Sequence, residues 1–285
     1  MREDDDVPVA LLHGVGLDRT VWARVEALLG RRTMALDLPG HGAQPPLTAP
    51  TTLAEMAADV ALRLPPGPIH LVGFSLGALI AQKLAVTQPG RVRSLTCVSS
   101  VCARTEEESD AVRQRLVGAR EDFAGSMERA LDRWFPAEED ADSEEWRAET
   151  RAVLLRNDPE SYGHAYTVFA TGDRDIEPEL SGIAVPTLAI TGELDPGSTP
   201  EMSFRLRDRI AGTEVVIVPG ARHMLPVTHP HELVDRLGAL IDKARHGTAG
   251  DGITADNDDT DAVPAEPGRS GSATTETDPT ERSAE

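Results

Sequence analysis

Cysteine is scarce in this chain: Cys97 and Cys102 are the only two in 285 residues. Two thiols so close together, without histidine companions, neither frame a disulfide scaffold nor form a metal site, and they read as buried or idle thiols of a reducing compartment. Basic residues are also few, 28 against 48 acids, for a net charge of −20. From Gly247 onward ten acids face two bases, which leaves −12 on the rest of the chain. A negative body excludes nucleic acid and anionic membranes as natural partners, because both demand clustered Lys and Arg. No window approaches the ~18 apolar residues of a membrane span. The opening MREDDDVPVALLHG is acidic where a signal peptide is basic, and it lacks a long apolar stretch. The expected location is cytoplasmic.

Aromatic residues make up 4% of the chain, and the segment 247–285 contains none of them. That segment is rich in Gly, Pro, Ser, Thr and acids and cannot bury enough apolar area to offset the entropy of ordering it, so it reads as a disordered acidic tail.

The remainder is built from short apolar runs alternating with helical patterns. Strands are expected at Val9–Leu12, Met34–Leu38, Ile69–Val72, Val92–Val98, Pro186–Thr191 and Val215–Val218. Helices are expected from about Thr20 to Leu29 with Asp18 as N-cap and Gly30 as stop, and over Thr51–Leu64, Ser75–Thr87, Thr199–Ile210 and Pro230 to about Ala244. Strands that are continuous apolar runs belong to a parallel sheet covered on both faces, an α/β architecture. Between Ala103 and Gly172 the strand pattern stops and charged amphipathic helices take over. The expected organisation is a core over 1–102 and 176–246, a helical cap over 103–175, and the tail over 247–285.

The chemistry concentrates at His70-Leu71-Val72-Gly73-Phe74-Ser75-Leu76-Gly77-Ala78. A strand runs into Gly-x-Ser-x-Gly and out into a helix, the setting in which a serine is lifted clear of a sheet on a sharp turn. Gly73 and Gly77 remove the Cβ atoms that would collide across that turn. No basic residue follows the glycines to hold a phosphate, which disfavours a nucleotide-binding loop. A serine hydroxyl needs a base within hydrogen-bond reach. Of eight histidines, His223 lies just past the last strand and before the last helix, on a loop of the rim that carries Ser75. His13 and His41 sit in His-Gly turns and read as structural. His70 lies in a strand, His164 in the cap, and His229 and His231 flank a helix-starting proline. The acid that braces the imidazole should follow another strand of the same rim, where Gly192-Glu193-Leu194-Asp195-Pro196 offers Asp195, with Glu193 as competitor. Asp195 is preferred because the proline after it favours an exposed loop. Two backbone N–H groups are expected to stabilise an oxyanion: Leu76, immediately after the nucleophile, and Val15 in the His13-Gly14-Val15-Gly16 loop.

Taken together, LLHGVGLDRTVW, LDLPGHG, LVGFSLGALIAQKLA, ITGELDP and PGARHMLPVTHP resemble the α/β-hydrolase superfamily over roughly Val7 to Ala244. The stretch RNDPESYGHAYTVFATGDRDIEPELSGIAVPTLAITGELDP is similar to 3-oxoadipate enol-lactonases and related carboxylesterases. The opening half is also similar to pimeloyl carrier-protein methyl ester esterases and to the lyase that expels pyruvate in menaquinone synthesis. The resemblance implies an α/β-hydrolase fold of about six strands, since too few residues precede His13 for the first hairpin common in that family. It implies a carboxylic ester hydrolase acting on a small-molecule ester or lactone through Ser75, with no metal or organic cofactor. C–C hydrolysis of a ring-cleavage product, amide hydrolysis or a lyase reaction on the same three residues stays open, as does a non-catalytic receptor or scaffold. A carboxylated substrate would need a cation, for which Arg19, Arg151, Arg156 and Arg222 are candidates, though each reads first as a solvated surface charge. Trp134, Phe135, Trp146 and Phe169 are candidates to line a pocket, with packing of the cap helices the expected job of most of them.

Overall fold

The computed structural model describes residues 7–135 and 141–247. They belong to one compact unit, Met1–Gly250; the second unit, Asp251–Glu285, lies outside the described residues, and with it nearly all of the segment read as tail.

Six parallel strands form one sheet: β1 (Val9–Leu12), β2 (Thr33–Leu36), β3 (Ile69–Phe74), β4 (Val92–Val98), β5 (Thr187–Gly192) and β6 (Glu214–Val218), in the order β2-β1-β3-β4-β5-β6. Every residue of β1, β3 and β5 is buried, whereas β2 and β6, at the edges, are mostly half-exposed. This is why the inner strands read as continuous apolar runs. The helices α1 (Ala23–Leu29), α2 (Leu53–Arg63), α3 (Leu76–Thr87), α8 (Pro200–Arg209), α9 (Leu225–Thr228) and α10 (Pro230–Gly247) flank the sheet, α1 packing on α10 and α2 on α3. Among the described residues no hairpin precedes β1, and no helix is long and apolar enough to cross a membrane.

Several element ends differ from those expected, each for a local reason. Asp18 is an N-cap, but of a tight 3-10 turn over Arg19–Trp22, and the α-helix proper starts at Ala23. The second strand ends at Leu36 because the next two residues are claimed elsewhere. The Leu38 N–H donates to His13 Nε2 at 2.9 Å, and the Asp37 carboxylate accepts the N–H groups of Arg19 and Ala43 at 2.8 and 3.0 Å. By contrast β3 runs on to Phe74, because Gly73 and Phe74 pair with Cys97 and Val98. A capping box between Thr52 and Glu55 sets the start of α2. The last helix continues through Gly247, one residue into the segment assigned to the tail.

Between β4 and β5 the described chain is helical: α4 (Glu106–Glu121), α5 (Phe123–Trp134), α6 (Ala141–Leu155), α7 (Pro159–Ile176) and a 3-10 turn over Glu177–Gly182. The start of this excursion is tied to α7 by the buried pair Arg104–Asp173, at 2.8 Å, and by a second bond from the same guanidinium to the Phe169 carbonyl. Helix α7 in turn packs on α2, α3 and α4.

Candidate active site

In a parallel sheet all C-terminal strand ends share one edge, and ligands bind where successive connections leave in opposite directions. Here that point lies between β1 and β3, since β2 is added on one side of β1 and β3 to β6 on the other. Ser75 follows β3 and Val15 follows β1.

Ser75 adopts φ 55°, ψ −114°, a backbone conformation that L side chains rarely hold. The turn is clamped by its surroundings. The Ser75 N–H donates to the Val98 carbonyl of β4 at 2.9 Å, and the Ala78 N–H donates to the Ser75 carbonyl at 3.0 Å. A Cβ on Gly73 would run into the Gly77 carbonyl, and one on Gly77 into the Leu12 carbonyl of β1. The glycines of the motif therefore let the first turn of α3 rest directly on strand backbone. Leu76, the first residue of α3, has an N–H with no carbonyl one helical turn behind it.

His223 and Asp195 meet as the sequence suggests. His223 Nδ1 lies 2.6 Å from Asp195 Oδ2, and both side chains are almost fully buried. The other carboxylate oxygen accepts the N–H groups of Gly197 and Ser198, both at 2.9 Å. Because the carboxylate only accepts, Nδ1 carries the proton and Nε2 is left as an acceptor. The exposed loop position expected for the acid is not found: Asp195 is 3% accessible. Glu193, the competitor, accepts instead the Gly220 N–H at 2.8 Å on an exposed turn. The His223 ring is held by two aromatic rings, Trp134 stacked at 5.4 Å and 28° and Phe74 tilted at 5.0 Å.

Ser75, His223 and Val15 line one cavity of about 280 Å³, closed on its far side by α4, α5 and α7. Of the four rings weighed between a pocket and packing of the cap helices, Trp134 and Phe169 face the cavity, together with Tyr162 and Tyr166. Their helical spacing is the same for a core face and a pocket face. None of the four arginines weighed between a surface charge and a substrate partner lines this cavity. Arg19 faces Asp37, Arg151 pairs with Glu128, Arg156 with Asp18, and Arg222 donates to the Arg133 carbonyl. The cavity arginines are Arg115, Arg129 and Arg133.

His13 and His41 are structural in the geometry as well. His13 accepts the Leu38 N–H at Nε2, so its Nδ1 donates to the Gly14 carbonyl at 2.7 Å, bracing the loop that carries Val15. Burial pushes the His13 imidazole down to about 3 and that of His41 to about 4. In the unfolded chain both would protonate near 6.5, so folding stability is complete above that value and is lost as the pH falls from 6.5 toward 3 to 4. Linkage gives a loss of about 2 kcal/mol per buried histidine by pH 5. Urea midpoints measured from pH 7.5 to 5 should fall accordingly; a flat profile would mean that these rings are charged in the folded chain. Burial also raises both thiols, Cys97 and Cys102, to about 12, which makes them inert. Among the described residues no group of His, Cys, Asp and Glu is arranged to hold a metal ion.

The comparisons with known proteins bear on the family and the fold. The model of the alpha/beta hydrolase family matches residues 9–236. The (E)-2-((N-methylformamido)methylene)succinate hydrolase of Acinetobacter baylyi is 30% identical over 82% of this chain and 90% of its own. The pimeloyl-[acyl-carrier protein] methyl ester esterase of Aeromonas salmonicida is 31% identical over 80% of this chain and 92% of its own. Among solved structures, the enol-lactonase of Burkholderia xenovorans superimposes with a TM-score of 0.74 at 25% identity, covering 85% of this chain and 94% of that one. A thermophilic esterase from Thermogutta terrifontis gives 0.72 at 26% identity, over 84% and 90%. A six-stranded parallel sheet, a serine on a strained strand-to-helix turn and a family match across most of the described residues lead to one conclusion: the chain belongs to the alpha/beta hydrolase family.

Proposed function

We propose that this chain is a serine hydrolase that cleaves a small carboxylic ester or lactone through an acyl-enzyme on Ser75. One observation carries the reading: an imidazole fixed by a buried carboxylate lines the same cavity as a serine held at a positive φ. The esterase and the enol-lactonase among the named relatives support an ester or lactone, while the formamido compound in the name of the Acinetobacter baylyi hydrolase makes amide hydrolysis the second reading.

In this mechanism Ser75 Oγ attacks the carbonyl carbon while His223 Nε2 takes its proton. The tetrahedral oxyanion is met by the N–H groups of Leu76 and Val15, each worth on the order of 3 kcal/mol in related chemistry. As the C–O bond breaks, His223 returns the proton to the leaving alkoxide, and the acyl group stays on Ser75. Water then attacks the acyl carbon, His223 takes a proton from it, and collapse of the second intermediate releases the acid and restores the Ser75 hydroxyl. Asp195 keeps its hydrogen bond to Nδ1 and stabilises the imidazolium in both steps. Residues 103–175 act as the cap that holds substrate over the strand ends, with 1–102 and 176–246 as the core.

A fluorophosphonate probe should label the native chain on one serine and leave Ser75→Ala unlabelled. Equal labelling of both, or of neither, would turn the reading toward a non-catalytic binder. Labelling without turnover of any ester or lactone would move it to amides or C–C bonds.

A further inference from the structure

The loop from His13 to Leu17 is held from two directions. On the core side, His13 Nδ1 donates to the Gly14 carbonyl at 2.7 Å, and the Leu17 N–H donates to the same oxygen at 3.2 Å. A Cβ on Gly14 would come within 3.2 Å of the Ser75 Cβ, so the loop lies directly against the nucleophile turn. A trans peptide is planar, and fixing the Gly14 carbonyl therefore fixes the direction of the Val15 N–H on the other side of that plane.

The next joint is softer. Gly16 sits at φ 77°, in a region that glycine enters and leaves at little cost. Its carbonyl is held from outside the core. Asn157, at the corner between α6 and α7, donates from Nδ2 to the Gly16 carbonyl at 2.7 Å. The same nitrogen lies 3.2 and 3.0 Å from the Val153 and Leu154 carbonyls, in the last turn of α6. One amide thus joins the end of α6 to the loop, and its shortest contact is the one that crosses. Leu154 and Tyr162 close the space over Gly16, where a Cβ would stand 2.9 and 2.8 Å from their side chains. Arg156 adds an ion pair at 3.1 Å to Asp18, the N-cap of the 3-10 turn that follows the loop.

We infer that Asn157 is a positioning residue for the oxyanion hole: through the Gly16 carbonyl it holds the loop that carries Val15, and the hole is complete only while the α6–α7 corner rests on the core. The inference rests on the hydrolase reading for what the loop does, but the clamp itself can be measured without turnover.

With p-nitrophenyl butyrate and the full chain, Asn157→Ala should lower kcat by about 10- to 100-fold, the usual cost of a small misplacement remote from the reacting atoms. KM should change little, because the oxyanion exists in the transition state and not in the bound ester. Asn157→Asp keeps the shape but has no hydrogen to donate when ionised, and should lose as much. Asn157→Gln keeps the amide and should recover part. An alkyl trifluoromethyl ketone gives a second readout. Its carbonyl carbon bonds to Ser75 Oγ, the serine proton passes to His223, and the ketone oxygen becomes an oxyanion, so its inhibition constant should rise by the factor by which kcat falls. Thr105→Ala, which removes the capping box of α4, is the control for general loosening of these helices. It should lower Tm and leave kcat alone. In Ser75→Ala, which removes the chemistry, amide hydrogen exchange over 13–17 should quicken by roughly 10-fold or more on adding Asn157→Ala and stay unchanged on adding Thr105→Ala.

Near-native kcat and ketone inhibition in Asn157→Ala, or unchanged exchange over 13–17, overturns the assignment. So does an equal loss of kcat in Thr105→Ala. If the native chain turns over no ester and takes up no ketone while the exchange contrast persists, the clamp stands and the hydrolase reading falls.

Discussion

Asp195→Asn is expected to lower kcat for ester hydrolysis by about 10⁴-fold while the chain stays folded. The reason lies in which atom holds the proton. Oδ2 of Asp195 accepts from His223 Nδ1 at 2.6 Å, and Oδ1 accepts from the Gly197 and Ser198 backbone. An asparagine can keep its carbonyl on those two N–H groups, but it then presents an NH₂ to the imidazole. Nδ1 must become the acceptor, the proton moves to Nε2, and the atom that should receive the Ser75 proton is already protonated. The bracing matters most when the imidazole becomes charged, in the transition state, so the loss should appear in kcat with KM little changed. Glu193→Gln is the discriminating control. It lies two residues away in sequence, but its carboxylate faces the exposed Gly220 N–H, so its rate should stay near that of the native chain. Steady-state rates alongside thermal melts decide the matter. A near-native kcat for Asp195→Asn, or an equal loss in Glu193→Gln, would transfer the bracing role elsewhere.

The second large effect is on stability. Gly77→Ala adds one methyl group where the Leu12 and His13 carbonyls already stand, and these belong to the central strand and the loop after it. Neither can yield without moving β1, whose four residues are fully buried. A destabilisation of about 3 kcal/mol or more is expected, which for a domain of this size lowers Tm by roughly 6–12 °C. The same substitution at Gly238 should act in the opposite direction. Gly238 lies inside α10 and a Cβ there meets nothing within 4 Å, so alanine should stabilise by up to about 1 kcal/mol through helix propensity. The contrast separates close backbone approach from glycine flexibility. If both variants melted alike, packing of α3 against β1 would not be what the motif glycines serve.

The strained turn at Ser75 was legible because its requirements are local. A strand, a strained residue and a helix start must fit within five positions, and only a narrow set of residues allows this. The pairing of His223 with Asp195 was legible for a related reason: each lies just past an apolar strand, and in a parallel sheet every strand end falls on one rim. Asp195 was selected over Glu193 for exposure, which the structure contradicts. What favours it is the turn through Pro196 and Gly197, which folds two backbone N–H groups onto its carboxylate and buries it.

The cavity wall was not legible. Arg133 and Trp134 sit side by side near the end of α5, and nothing local distinguishes them from Arg129 or Trp146. Which of them reaches His223 depends on how α5 settles against α4 and over the sheet, a relation between segments roughly a hundred residues apart. Surface arginines such as Arg19 and Arg156 look identical in sequence to Arg115. Only the folded chain shows that the first two face Asp37 and Asp18.

By itself the sequence determined the alternation of strand and helix, the parallel sheet and the turn that raises Ser75, since steric rules acting over a few residues leave few other solutions. The tertiary structure alone decided which aromatic ring lies against His223 and which arginines look into the cavity. Those contacts join chain ends far apart, and no local preference encodes them.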